Sequence, residues 1–257
     1  MTSSPEHPAQ QRAQAARSAA FRLLVLVGAG VAVVSVIVLA LVLGALAGAV
    51  GLGLGVVLGL VAGAGVAAWL FTGADARLEQ RLGASPLSDE DDPRLFNLID
   101  GLSAVVGVAP PPVVAIDDDG VNAGLIGVRR PPTLVVTTGL VGAFDRLELE
   151  AIIAHELHRI ASEEHLVTST AAGLVGWISP SWGQRLAGGP AGLDAEITLD
   201  AEAVGHTRYP PGLAAALERV DARPGPNRET LGVSWMIDPS ERGRADVQTR
   251  VAALHER

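Results

Sequence analysis

Residues 151–160 read AIIAHELHRI, and the fold of the whole chain turns on this stretch. It opens as His-Glu-x-x-His, a pattern that sets two imidazoles one helical turn apart for zinc and a carboxylate beside them to activate water. His155 and Glu156 are in place, but the position four after His155 is Arg159, and a histidine falls one place early at 158. An α-helix advances about 100° per residue, so Leu149, Ile153 and Ile160 share an apolar face and Glu156 points close to its centre. A carboxylate aimed into a core is costly unless it is paired or bound to metal. Arg159 lies on the side nearer Glu156. His158 turns to the more polar side, where a surface histidine is expected. Asp145 and Glu148 form a capping box that opens this helix, which should run to about Glu164.

A zinc site needs a further ligand from elsewhere. Glu196 and Asp200 lie downstream at i, i+4 spacing and share a helix face. Glu196 could ligate, and Asp200 could orient a ligand histidine. If zinc is held, His158 is the local candidate for the missing ligand, while His165 and His206 are expected to pack or to face solvent. If it is not, Arg159 supplies a fixed positive charge between Glu156 and Glu196, a role suited to a group that is always protonated and donates to two carboxylates.

The chain of 257 residues has no cysteine, which excludes disulfides, thiolate catalysis and thiolate metal ligands. Its net charge of −9 argues against a nucleic-acid partner. No residue from Leu23 to Phe71 is charged. A membrane span takes about 20 residues, so the run divides into spans at 23–44 and 50–71 with a turn near Leu46–Val50. A secretory signal does not fit, because the apolar run continues past Ala45-Leu46-Ala47. Arg12, Arg17 and Arg22 precede the run and Arg77 and Arg81 follow it, which sets both ends in the cytoplasm and the lipid bilayer as a partner. Gly51, Gly55, Gly59 and Gly63 form a stripe for close helix contact, with the first span or with a second copy in a homo-oligomer. Residues 1–20 are polar and expected to be a disordered tail, 21–72 the hairpin and 73–257 the soluble domain.

In the soluble part, Asp92-Pro93 caps a helix in which Leu95, Leu98, Ile99, Leu102 and Val106 recur at helical spacing. Strands are expected at 113–116, 122–128 and 133–138, the last two forming a hairpin that Pro131 and Pro132 hold near a sheet edge. Further helices are expected over 166–178, 194–206, 213–220 and 245–255, with a loop at 188–192. The fold class is α+β, mainly helical.

In order along the chain stand DPRLFNLIDGL (92–102), NAGLIG (122–127), TTGL (137–140), LEAIIAHEL (149–157), the Glu-x-x-x-Asp of 196–200 and TRYPPGLAAALE (207–218). Through these pieces the sequence resembles the HtpX-like membrane zinc metallopeptidases, relatives of the CAAX prenyl proteases. The resemblance runs from the membrane hairpin to the C-terminus. It implies a gluzincin-like domain with a small edge β-sheet, at the cytoplasmic face of the cell membrane, cutting membrane or misfolded polypeptides. By this resemblance His155 matches the first zinc ligand, Glu156 the general base, Glu196 the third ligand and Asp200 the supporting acid. Asn122, Ala123, Gly124 and Leu125 match the edge that holds a polypeptide as an added strand. The second zinc histidine falls on Arg159, and the family's His-Pro before the last helix is not seen around Gly243–Val247. Two functions therefore stand side by side. One is a zinc endopeptidase holding one ion through His155, Glu196 and His158. The other is a zinc-free pseudoprotease that binds polypeptides or partner membrane proteins.

Overall fold

The computed structural model describes residues 8–128, 131–174, 192–226, 233–238 and 241–257. The expected elements at 129–130, 175–178 and 188–191 lie outside the described residues. The apolar run is helical from Pro8 to Thr72 (α1), with a break at Ala47 (φ −133°, ψ 19°) and Gly48 (φ 59°, ψ −140°). Gly48 takes the positive φ without the steric cost other residues meet there. Beyond the break the chain returns along its own first half. A Cβ added to Gly55, Gly59 or Gly63 would lie 2.5, 2.5 or 2.6 Å from the Cα of Ala40, Val36 or Ala32. Only a glycine stripe allows so close an approach. The stripe is thereby filled within one chain and is not offered to a second copy. Leu26, Val34, Leu41, Leu52, Leu60 and Val61 are each more than half exposed, an apolar exterior that suits lipid rather than water.

Residues 8–20 are not a disordered tail. They continue α1, favoured by their Ala, Gln and Arg content, and are tied to the soluble domain by charge. Arg12 pairs with Glu164 at 3.4 Å and with Glu202, and Arg17 Nη2 donates to Glu163 at 2.8 Å.

The soluble domain runs α2 (Ala74–Leu82), β1 (Ser85–Leu87), α3 (Pro93–Val106), β2 (Val113–Ile116), β3 (Ala123–Ile126), β4 (Thr133–Thr137), α4 (Thr138–Val141), α5 (Arg146–Ser162), α6 (His165–Leu174), α7 (Leu193–Thr207), α8 (Pro210–Ala222), β5 (Ser234–Trp235) and α9 (Glu241–His255). Asp92 caps α3 by accepting from the Arg94 and Leu95 amides, both at 3.1 Å. The capping box of α5 closes in both directions, Glu148 N to Asp145 at 2.9 Å and Asp145 N to Glu148 at 3.0 Å. α8 starts at Pro210, earlier than its apolar spacing suggests, because proline is tolerated in a first helical turn.

The sheet has the order β1-β2-β4-β3-β5, with β2 and β4 parallel and the other pairs antiparallel. One expectation is overturned here. The segment 122–127 is not an exposed edge. β3 lies between β4 and β5, with Gly124 opposite Trp235 and Leu125 opposite Ser234. Ala123 and Leu125 are fully buried. The short strand β5 takes up backbone groups that an edge strand would leave unpaired. α5 forms the middle of the domain, packed on α3, α7, α8, β3 and α1.

Candidate functional site

Because α5 is surrounded, its polar residues are interior: His155, Glu156 and Arg159 are buried to within 1%. Such burial demands partners. Arg159 Nη2 donates to both oxygens of Glu196, at 3.0 and 2.8 Å. Its Nη1 donates to the Ser234 carbonyl at 2.9 Å and reaches Glu156 Oε1 at 3.4 Å. A second guanidinium comes from α9. Arg250 grips Asp200 in a two-point fork, Nε to Oδ2 and Nη2 to Oδ1, each at 2.7 Å. Its Nη1 donates to the Met236 carbonyl at 2.7 Å and stands 3.5 Å from Glu196. His155 lies between the arginines, with Nδ1 3.3 Å from Glu156 Oε1. Its Nε2 is 3.3 Å from Asp200, 3.5 Å from Glu196 and 3.2 Å from Arg250 Nη2.

Three carboxylates thus face two guanidiniums, with the His155 imidazole between them. Burial alone would lower the His155 pKa, but its bonds to Glu156 and Glu196 and the Asp200 charge raise it. Burial alone would raise that of Glu196, but Arg159, with His155 and Arg250, holds it down at about 2. For Arg159 and Arg250 the neighbouring carboxylates outweigh burial and raise the pKa. Among the described residues, Glu156 Oε2 and Arg159 Nε remain buried without a hydrogen-bond partner.

The structure therefore brings His155, Glu156, Arg159, Glu196 and Asp200 together, and excludes His158. That residue is not on the surface, nor does it face the cluster. It is 8% exposed, with Nε2 3.0 Å from His206 Nδ1 and Nδ1 3.9 Å from Glu202. Burial, with His206 alongside, lowers its pKa to about 4. His165 is buried at the start of α6. Asn122 serves the backbone: its Nδ2 donates to the Gly225 and Ile237 carbonyls at 2.9 and 2.8 Å.

These residues do not fit zinc. A catalytic zinc takes three protein ligands and keeps a position open. Here Arg159, a permanent cation, stands where the motif would set a second imidazole, and it occupies both oxygens of Glu196. Arg250 Nη2, 3.2 Å from His155 Nε2, puts a second permanent cation beside the imidazole.

Arg250 carries no motif, yet it left a trace. It falls three residues after Val247 and four before Leu254, on the apolar stripe of its helix. A charge on a core-facing stripe marks a buried ion pair.

Residues 89–189 match the family model described as peptidase family M48. The chain is 42% identical over 123 residues to a protease HtpX homolog of Acidiphilium cryptum, covering 46% of this chain and 42% of that protein. It is 29% identical over 221 residues to one from Tropheryma whipplei, covering 71% and 75%. To one from Dictyoglomus thermophilum it is 27% identical over 227 residues, covering 74% and 75%. The first match spans less than half of its relative's length.

Proposed function

Because the chain belongs to the HtpX-like branch of peptidase family M48, we propose that it is a membrane-anchored pseudoprotease whose peptidase site has become a metal-free ionic cluster. One observation carries this: from the position of the second zinc ligand, Arg159 holds both oxygens of Glu196, the third, at 3.0 and 2.8 Å. The retained function is binding of polypeptides or partner membrane proteins. The two halves of α1 cross the bilayer as a hairpin at 23–44 and 50–71, the break at Ala47 and Gly48 lies outside, and the soluble domain is cytoplasmic.

Metal analysis of the full chain purified in detergent tests the proposal. The native protein is expected to carry no stoichiometric zinc and to cleave no unfolded protein. Arg159→His is expected to take up about one zinc, since it restores the imidazole a three-ligand site requires. Stoichiometric zinc in the native protein, lost on His158→Ala, would sink the proposal.

A further inference from the structure

Residues 8–22 continue the first apolar stretch as one helix, since the first break in α1 comes at Ala47. A helix rises 1.5 Å per residue, so Arg12 stands about 16 Å beyond Leu23, at the end of a lever that starts in the apolar run. Ala13 and Ala16, about one turn apart on this lever, are buried, and α1 packs on α5. Side chains this small let two helices come close. Arg12 then reaches two elements at once. Its Nη1 donates to Glu164, in the turn that ends α5, at 3.4 Å, and its Nη2 donates to Glu202 of α7. Arg17 Nη2 donates at 2.8 Å to Glu163, which caps α5 at a φ of 57° that is costly for a residue with a Cβ. Three carboxylates thus meet two arginines. Glu164 and Glu202 converge on one guanidinium and, without it, repel each other. The same two helices carry the ionic cluster, where Arg159 of α5 holds Glu196 of α7. The brace and the cluster also share a group. Burial raises the Glu164 pKa, and the charges of Arg12 and Arg159 both oppose that rise.

We propose that residues 8–22 are an ionic brace in which Arg12 closes α5 on α7, so that displacement of the apolar hairpin against the soluble domain loosens the pairing of Arg159 with Glu196. This rests on the pseudoprotease reading and names how its cluster is regulated. Arg12 is a positioning residue, acting on the cluster through Glu164 and Glu202. Once it withdraws, the two carboxylates push α7 from the end of α5, and Arg159 is left as the cation acting on Glu164, in competition with Glu196. The brace is weak enough to switch, because its ion pairs are partly exposed and its buried face is two alanines. A partner or bilayer that binds the hairpin better with the brace open shifts the population towards the loosened cluster.

Amide hydrogen exchange read by mass spectrometry on the full chain in detergent tests the brace, because it reports opening element by element. Arg12→Gln is expected to speed exchange in 194–204 of α7 and 151–162 of α5 by about threefold to fivefold, the ratio that ion pairs of this exposure sustain. Exchange in 95–106 of α3, which carries none of these groups, is expected to stay unchanged. Arg12→Lys, which keeps the charge, is expected to restore most of the protection. Unchanged exchange in α7 overturns the proposal. Equal acceleration in α3 also overturns it, since Arg12 would then act on general stability alone. If Arg12→Gln does not fold, native protein taken from about 50 to about 500 mM salt decides, because salt screens the partly exposed brace far more than the buried cluster. Acceleration in α7 without acceleration in α3 is again the expected result, and no change overturns the brace. Metal content separates the two readings. A zinc-free protein that fails this test loses the brace and keeps its status as a pseudoprotease, whereas stoichiometric native zinc overturns both.

Discussion

At position 159 a guanidinium reaches two carboxylates, Glu196 at 2.8 Å and Glu156 at 3.4 Å. Arginine suits the place because its charge is permanent and its donors are spread in a plane. Removing one partner of a buried ion pair leaves the other uncompensated, so Arg159→Ala is expected to cost about 3–5 kcal/mol, read as a lower unfolding midpoint. The pH dependence follows from Glu196. Its folded pKa of about 2 lies below the ordinary 4.5, so its contribution is present above about pH 4.5 and is lost as pH falls towards 2. The penalty of Arg159→Ala should therefore shrink between pH 5 and pH 3 in parallel denaturation curves; a constant penalty would remove Glu196 as the partner. His155 acts in the opposite direction. Its raised pKa stabilises below about pH 6.5, and that stability is lost as pH rises through the folded value. Spacing made the Arg159 pairing legible, since i+3 and i+4 neighbours on a helix must meet. The place of His158 was not legible. Helical geometry gives a direction but not what waits there, and α7 waits with His206.

At the scale of elements, much of the fold could be read because local chemistry and tertiary contact agree. The capping box of α5, the Asp-Pro start of α3 and the glycine stripe of α1 each appear where the sequence sets them. Two short strands, β1 and β5, could not be read, since three and two residues are too few for a periodic signal. Pro131 and Pro132 set the 122–128 hairpin near an edge, and the two residues of β5 that cover it leave no signal in the sequence. The stripe makes its own prediction. Gly59 has the Cα of Val36 2.5 Å from where a Cβ would sit, while Gly53 has nothing within 4 Å. Gly59→Ala should push the two halves of α1 apart and lower the thermal midpoint in detergent by several degrees, a core-overpacking effect of about 1–3 kcal/mol. Gly53→Ala should be neutral or slightly stabilising, because alanine favours helix by about 1 kcal/mol. Equal effects at the two positions would mean that the halves do not pack as described.

At the scale of the whole molecule, charge placement and the path of α1 constrain each other. The arginines at 12, 17 and 22 stand before the apolar run and those at 77 and 81 after it, with none at the break. Arg12 and Arg17 meet Glu163, Glu164 and Glu202 of the soluble domain. The helix start must therefore lie on the same side of a bilayer as α5 and α7, and α2, which follows α1, packs on α6 of the same domain. A single crossing would place these two ends on opposite faces, whereas a hairpin places them together. In the proposed topology that face is the cytoplasmic one, because the positive-inside rule sets the flanking arginines there. Reporters that are active only outside the membrane, fused before Met1 or after Arg257, should both stay silent, and one placed at Gly48 should be active. Activity at either terminus with silence at Gly48 would invert the orientation, and activity at one terminus alone would require a single span. The Arg12 and Arg17 pairs are partly exposed, each worth up to about 1 kcal/mol. Their joint replacement by alanine should therefore lower stability modestly, and less so at high salt, while the reporter pattern stays fixed by the five flanking arginines acting with the apolar run.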